Sequence, residues 1–202
     1  MSRESEEVVR ERLLQCARRA FLEHGFADAN VSRIAESAGI SKKTIYKHVE
    51  SKEALLQAVM ADALSGPAQR LQAPDPGHDL QTRLESYLLA FAELALSPDG
   101  VASYGLILRE GTRFPDIAST YVQSVHDFAI LPLMVELEAY QAAGQLQLVD
   151  SEFSACALLG MVVDDPLRDA ILGLTPTLSD ERLLLRVRES VRMFLHGCRP
   201  QA

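Results

Sequence analysis

The sequence lacks the usual marks of a membrane protein, a secreted protein or an enzyme. Its 202 residues contain no apolar run of about eighteen, so no membrane span is expected. The start, Met1-Ser2-Arg3-Glu4-Ser5-Glu6-Glu7, is polar and acidic, where a secretory signal would be basic and then apolar. Cys16, Cys156 and Cys198 are odd in number and far apart, so they form neither a disulfide framework nor a C-x-x-C metal site. The cytoplasm is therefore the expected compartment. There is no Gly-rich phosphate loop, no H-E-x-x-H and no nucleophile elbow. His126-Asp127 and Asp164-Asp165 come nearest to a metal or acid/base pair. Adjacent helical residues point about 100° apart, so neither pair converges on one ion. No metal, no cofactor and no enzymatic activity are expected. No strand alternation and no internal repeat occur either, which leaves an all-α chain.

Lysine is the other scarcity. The chain has four, Lys42, Lys43, Lys47 and Lys52, and all fall within residues 42–52. The surroundings are acidic, with a net charge of −8 overall. Residues 1–60 hold ten Lys/Arg against nine Asp/Glu, a balance of +1; residues 61–202 hold ten against nineteen, a balance of −9. An acidic protein is a poor non-specific ligand for nucleic acid, so any grip on DNA must come from the local cluster.

The cluster sits in a recognisable local pattern. Asn30 is a good N-cap for a helix over 31–38, whose Val31, Ile34, Ala35 and Ala38 face inward. Gly39 supplies a left-handed residue to end it. Ser41 caps a second short helix over 42–48, with Ile45 and Val49 on one face. Two short helices joined by a tight Gly-containing turn make a helix-turn-helix over about 30–49, whose second helix enters the major groove. A lysine-rich face with no partner is the plain alternative. Lys43 and Lys47 can donate to guanine, and Thr44 can touch a thymine methyl. Lys42, Tyr46, His48 and Lys52 suit backbone phosphates, as do Ser32 and Arg33 at the start of the first short helix.

Before this unit a helix over 4–23 is expected, with Leu13, Cys16, Ala17, Ala20 and Phe21 as its apolar stripe, ending at His24-Gly25-Phe26. Arg10, Arg12, Arg18 and Arg19 lie off that stripe, where they are solvated or touch phosphates. A fourth helix starts at Ser51, its apolar side made by Leu55, Leu56, Val59, Met60 and Ala63. Residues 66–78, with Pro67, Pro74, Pro76 and Gly77, read as a linker. Helices are then expected over 79–96, 101–111, 116–143 (kinked at Pro132), 151–174 (interrupted or bent at Asp164-Asp165-Pro166) and 179–197, with a turn at 97–100. The total is nine or ten.

The order Ala20-Phe21, His24-Gly25-Phe26, Ile34-Ala35, Ala38-Gly39-Ile40-Ser41-Lys42, Thr44-Ile45-Tyr46 and Ser51-Lys52-Glu53-Ala54-Leu55-Leu56 resembles the DNA-binding domain of the TetR family of bacterial transcriptional regulators. The likeness covers about a quarter of the chain. It departs at Lys43, where glycine is common, at Val49, where an aromatic is usual, and at Glu50, where proline is frequent. Arg109-Glu110-Gly111-Thr112-Arg113-Phe114-Pro115-Asp116-Ile117 looks like the C-terminal domain of the AefR-like subgroup. The resemblance implies a three-helix DNA-binding domain over 1–51 and a larger ligand-binding and dimerisation domain over 52–202. It implies that Tyr46 and His48 contact phosphates, and that the last two helices pair two copies, with Leu184, Val187, Val191, Phe194 and Leu195 as a suitable stripe. Ordinary packing within one chain is the competing reading of that stripe.

An inducer pocket for an unknown small molecule is implied too. Tyr104, Arg109, Phe114, Tyr121, His126 and Tyr140 are the polar or aromatic groups that could line it, though each also suits a structural role. The expectation is then a homodimeric repressor on a pseudo-palindromic operator, released by a small molecule. The alternatives are activation in place of repression, or a helical adaptor with a degenerate head.

Overall fold

The computed structural model describes residues 6–68, 79–174 and 179–198, with side chains in 63–68 excepted. Ten α-helices run in order among the described residues, with no strand: α1 (Glu6–Asp28), α2 (Val31–Ser37), α3 (Lys42–His48), α4 (Lys52–Ala68), α5 (Leu80–Ala95), α6 (Pro98–Glu110), α7 (Pro115–Val125), α8 (Leu131–Ala142), α9 (Ser151–Ile171) and α10 (Asp180–Cys198). A π-helical turn, His126–Ile130, follows α7 in the chain and precedes α8. The acidic start, the side chain of Ala63 and most of the linker expected over 66–78 lie outside the described residues. Its first residues, Gly66 and Pro67, belong to α4.

The chain divides into two compact units. One comprises Met1–Ala63 and Ala102–Ser124; the other comprises Leu64–Val101 and Val125–Ala202. The body that carries the helix-turn-helix is thus wider than residues 1–51: it takes in the first part of α4 and most of α6 and α7.

In the first unit the stripe read on α1 is the core. Leu13, Ala17 and Phe21 are buried and pack with Ile34, Ala35, Ile45, Leu55, Leu106 and Ile117. Cys16 and Ala20 pack against that cluster from its edge. Phe26 returns to the core after Gly25, whose φ of 76° and ψ of 167° break the helix. That backbone region is accessible to glycine almost alone.

In the second unit α5, α8, α9 and α10 bury Leu84, Leu88, Leu133, Leu137, Leu158, Val162, Val187 and Val191 completely. Arg83 and the buried Glu136 form an ion pair inside this unit. Three sequence expectations change here. Residues 97–100 are not a free turn: Ser97 Oγ accepts from Gly100 N at 3.0 Å and caps α6, with Pro98 at its first position. There a missing N–H costs nothing.

Pro166 does not break α9, because buried Leu158, Leu159, Val162, Val163 and Leu167 on both sides hold the helix through it. At Pro132 the expected kink takes the form of the preceding π turn. Proline has no N–H for the carbonyl four residues back, and the ladder shifts to Leu131 N on His126 O. The buried Tyr87 hydroxyl donates to Ala129 O within that turn.

Candidate nucleic-acid interface

The reading unit is assembled from caps and one apolar anchor. Asn30 accepts from Ser32 N at 2.8 Å and starts α2. At its other end Ile40 N donates to Ala35 O and Gly39 N to Glu36 O, both at 3.0 Å, with Gly39 at a φ of 66°. This is the left-handed closure that only glycine makes without strain. Ser41 then accepts from Thr44 N at 3.1 Å, and Ser41 Oγ and Thr44 Oγ1 lie 2.8 Å apart. The Thr44 hydroxyl thus shares a hydrogen bond with the cap. Ile45, with no exposed surface, plants α3 in the core. Val49 leaves the helix in an extended conformation, and Ser51 caps α4 through Ala54 N at 3.0 Å.

On the other side of α3 the expected groups face water. Lys42, Lys43, Tyr46 and Lys47 are exposed and lie at i, i+1, i+4 and i+5, one continuous face without an acidic group. The Lys42 ammonium stands 5.9 Å from the Tyr46 ring centre. His48 and Thr44 are half-buried, while Ser32 and Arg33 are exposed at the start of α2.

Lys52 is the exception. Its ammonium donates to Ala27 O at 3.0 Å and lies 4.7 Å from the Phe26 ring centre. Partial burial lowers its pKa below the ordinary lysine value, with Glu53 and Asp28 pulling the other way. In this structure Lys52 is a strut between α4 and the end of α1, with two N–H groups left over for a phosphate. Arg12, expected on a solvated or phosphate-facing surface, is half-buried and donates from Nε to Ala38 O at 2.7 Å. Sequence reasoning missed it because its partner is a main-chain carbonyl 26 residues away.

The groups proposed to line a ligand pocket divide between the two units. Tyr104, Arg109, Phe114 and Tyr121 belong to the first unit, and His126 and Tyr140 to the second. Tyr104 and Tyr121 stack at 5.6 Å. Burial first, then the neighbouring Tyr104, pushes the Tyr121 phenol up to about 12. Phe114 packs edge-on to Phe26 at 6.4 Å, with Arg113 over its outer face, so it serves the head's own packing. Arg109 is exposed, His126 Nδ1 pairs with Asp127 at 3.0 Å, and Tyr140 is fully buried. A cleft bounded by Arg18, Phe21, Leu56, Met60, Ser103 and Tyr121 holds about 40 Å³ of free space. That is room for water and far below the several hundred Å³ of a ligand pocket.

The stripe proposed for pairing packs mostly within its own chain. Val187, Val191, Phe194 and Leu195 are buried within one chain, and Leu184 is half-buried. They turn towards α5 and α9, so their apolar surface is already spent on the core. The large apolar groups left exposed on α9 and α10 are Phe153, Leu185 and Met193.

Comparison with known proteins settles the class of this arrangement. Residues 13–59 match the family model described as bacterial regulatory proteins, tetR family, and residues 82–197 match the AefR-like transcriptional repressor C-terminal domain. The chain belongs to the TetR family. Residues 13–59 are the family's N-terminal domain. Among curated relatives it is 35% identical over 115 residues to the HTH-type transcriptional regulator UidR of Escherichia coli K12, covering 54% of this chain and 55% of that protein. The chain thus spans about half the length of that relative. The regulator SrpR of Pseudomonas putida is 27% identical over 147 residues, 65% of this chain and 68% of that protein. Among solved structures, the Flavonoid-responsive Regulator FrrA superposes with a TM-score of 0.75 at 27% identity, covering 96% of this chain and 98% of that one. A TetR-family regulator from Mesorhizobium loti gives 0.76 at 20% identity over 98% and 100%, which speaks to the fold.

Proposed function

We propose that this TetR-family regulator is a homodimeric, ligand-responsive repressor that leaves its operator when a small molecule binds. The observation that carries the reading is the exposed lysine face of α3, which stands alone in a chain of net charge −8. Local positive charge on a capped, core-anchored helix supplies the grip, and the acidic remainder resists sliding onto arbitrary DNA. Lys43 and Lys47 read base edges. Lys42, Tyr46, His48, Ser32 and Arg33 hold phosphates, and Lys52 joins them through its spare N–H groups.

One α3 covers a few base pairs, and each mismatch is worth roughly 1–3 kcal/mol, too little to single out a genomic site. Two heads related by a two-fold double that discrimination on a pseudo-palindrome with half-sites about 34–36 Å apart. The pairing surface is the outward face of α9 and α10. There Phe153, Cys156 and Gly160 recur at helical spacing on α9, and Leu185 and Met193 on α10. Phe153, Leu185 and Met193 are 73%, 61% and 53% exposed, a cost that a second copy relieves. Replacing Leu185 and Met193 together by Asp should convert a dimer to a monomer in light scattering and abolish operator binding.

A ligand favouring a state whose heads no longer match the half-sites then releases the DNA. The relative FrrA is called flavonoid-responsive, which makes planar aromatic molecules the first class to screen. The test is footprinting on the DNA upstream of its own gene, followed by release with candidate ligands. A protected palindrome that vanishes with one compound is expected. No footprint at low salt would overturn the reading. Activation is the second mode, and would show as a promoter that gains transcript when the protein is present.

A further inference from the structure

We propose that Arg12 is a positioning residue for base reading: its bond to the Ala38 carbonyl fixes the angle at which α3 is presented to the groove. The inference rests on the DNA-binding reading of α3 and adds a residue outside the helix-turn-helix to it. α3 has seven residues, and Ile45 is its fully buried one. Ile40 and Val49, at its two ends, pack on the same core but are only half-buried, so the direction of the helix also depends on how its entry is fixed. The entry is the corner at Ala38-Gly39-Ile40. There the closure of α2 uses Ile34 O, Ala35 O and Glu36 O, taken by Ala38 N, Ile40 N and Gly39 N.

The Ala38 carbonyl is left for Arg12, whose Nε donates to it at 2.7 Å. One guanidinium nitrogen also lies 4.0 Å from where a Cβ on Gly39 would stand, so the group reaches past Ala38 to Gly39. Arg12 is next to Leu13, which is 1% exposed and locked in the core, so the tie starts from a rigid point. A charged donor on a half-buried carbonyl is among the stronger hydrogen bonds. It spans α1 to the corner directly before the Ser41 cap, so its loss frees the direction of α3 without removing any group that touches DNA.

Phosphate attraction tolerates a few degrees of helix rotation; hydrogen bonds to base edges do not. Loss of the tie therefore weakens operator binding and spares binding to arbitrary sequence. The experiment uses the full chain and its footprinted operator. Wild type, Arg12→Met, Arg12→Ala and Arg12→Lys are titrated by fluorescence anisotropy against the operator duplex and a scrambled duplex across a salt series. Melting curves run alongside. Arg12→Met keeps the apolar stem, and so guards against a variant that fails to fold.

The expected result is a loss of about tenfold on the operator for Arg12→Met, in keeping with a hydrogen bond to a charged group. Affinity for the scrambled duplex and the salt slope should stay as in wild type, and Arg12→Lys should recover most of the loss. Equal losses on both duplexes with a shallower salt slope would make Arg12 a phosphate contact and overturn the proposal. So would an unchanged operator affinity in a folded Arg12→Met. If the wild type itself does not distinguish the two duplexes, the DNA-reading role of α3 fails first and takes this inference with it.

Discussion

The buried pair Arg83–Glu136 makes a sharp test of how the second unit is held together. Glu136 has no exposed surface and Arg83's side chain is 20% exposed; Arg83 Nη2 donates to Glu136 Oε2 at 2.9 Å, and Nε donates to Oε1. Replacing Arg83 by Met leaves a carboxylate buried among apolar helices. Breaking such a pair costs roughly 3–5 kcal/mol, and the partial exposure of Arg83 points to the lower end, about 3 kcal/mol. With an unfolding entropy of roughly 2.1 cal/mol/K per residue and 202 residues unfolding together, that is a fall in Tm of about 7 °C.

The same physics makes an opposite claim for the double change. Arg83→Met with Glu136→Leu removes both desolvated charges, and should recover most of the loss or exceed wild-type stability. The assay is calorimetry and urea denaturation of wild type, Arg83→Met and the double variant at one fixed concentration, because association of copies would make stability depend on concentration. If Arg83→Met costs under about 1 kcal/mol, or the double variant is no more stable than the single one, the carboxylate does not depend on that arginine and the argument fails.

Lys52→Ala should lower affinity on operator and scrambled DNA alike, and should also destabilise the head, since it removes the tie to Ala27 O and the cation over Phe26. An unchanged salt slope would leave the strut and remove the phosphate contact. Gly25→Ala places a Cβ on a backbone at φ 76° and ψ 167°, and should destabilise the first unit by about 1–3 kcal/mol, read as a lower urea midpoint. Tyr87 and Tyr121 have phenols raised by burial, Tyr121 to about 12, against an ordinary value of 10.0. Their folded pKa lies above the unfolded one. Their contribution is therefore whole below pH 10 and lost as pH rises through the folded values. Stability should fall above about pH 10, and the fall should shrink in Tyr87→Phe, followed by tyrosinate absorbance against circular dichroism.

The local features of the reading unit were all written in the chain. Caps at Asn30 and Ser41, the left-handed Gly39, the anchor Ile45 and the lysine face act over four or five residues, so spacing alone reveals them. The apolar stripe of α1 was legible for the same reason: helical period fixes which side chains share a face. The family followed from that order of residues.

What spacing could not say is which surface a stripe meets. Val187, Val191, Phe194 and Leu195 form the same pattern whether they face a second copy or α5 of their own chain; tertiary packing assigns them to the core. It likewise put Phe114 against Phe26, tied Lys52 to Ala27 and Arg12 to Ala38, and carried α9 through Pro166. Each of these depends on a partner far along the chain, or on burial strong enough to override a local preference. Sequence periodicity records which face of a helix is apolar. Only the folded chain decides what that face touches.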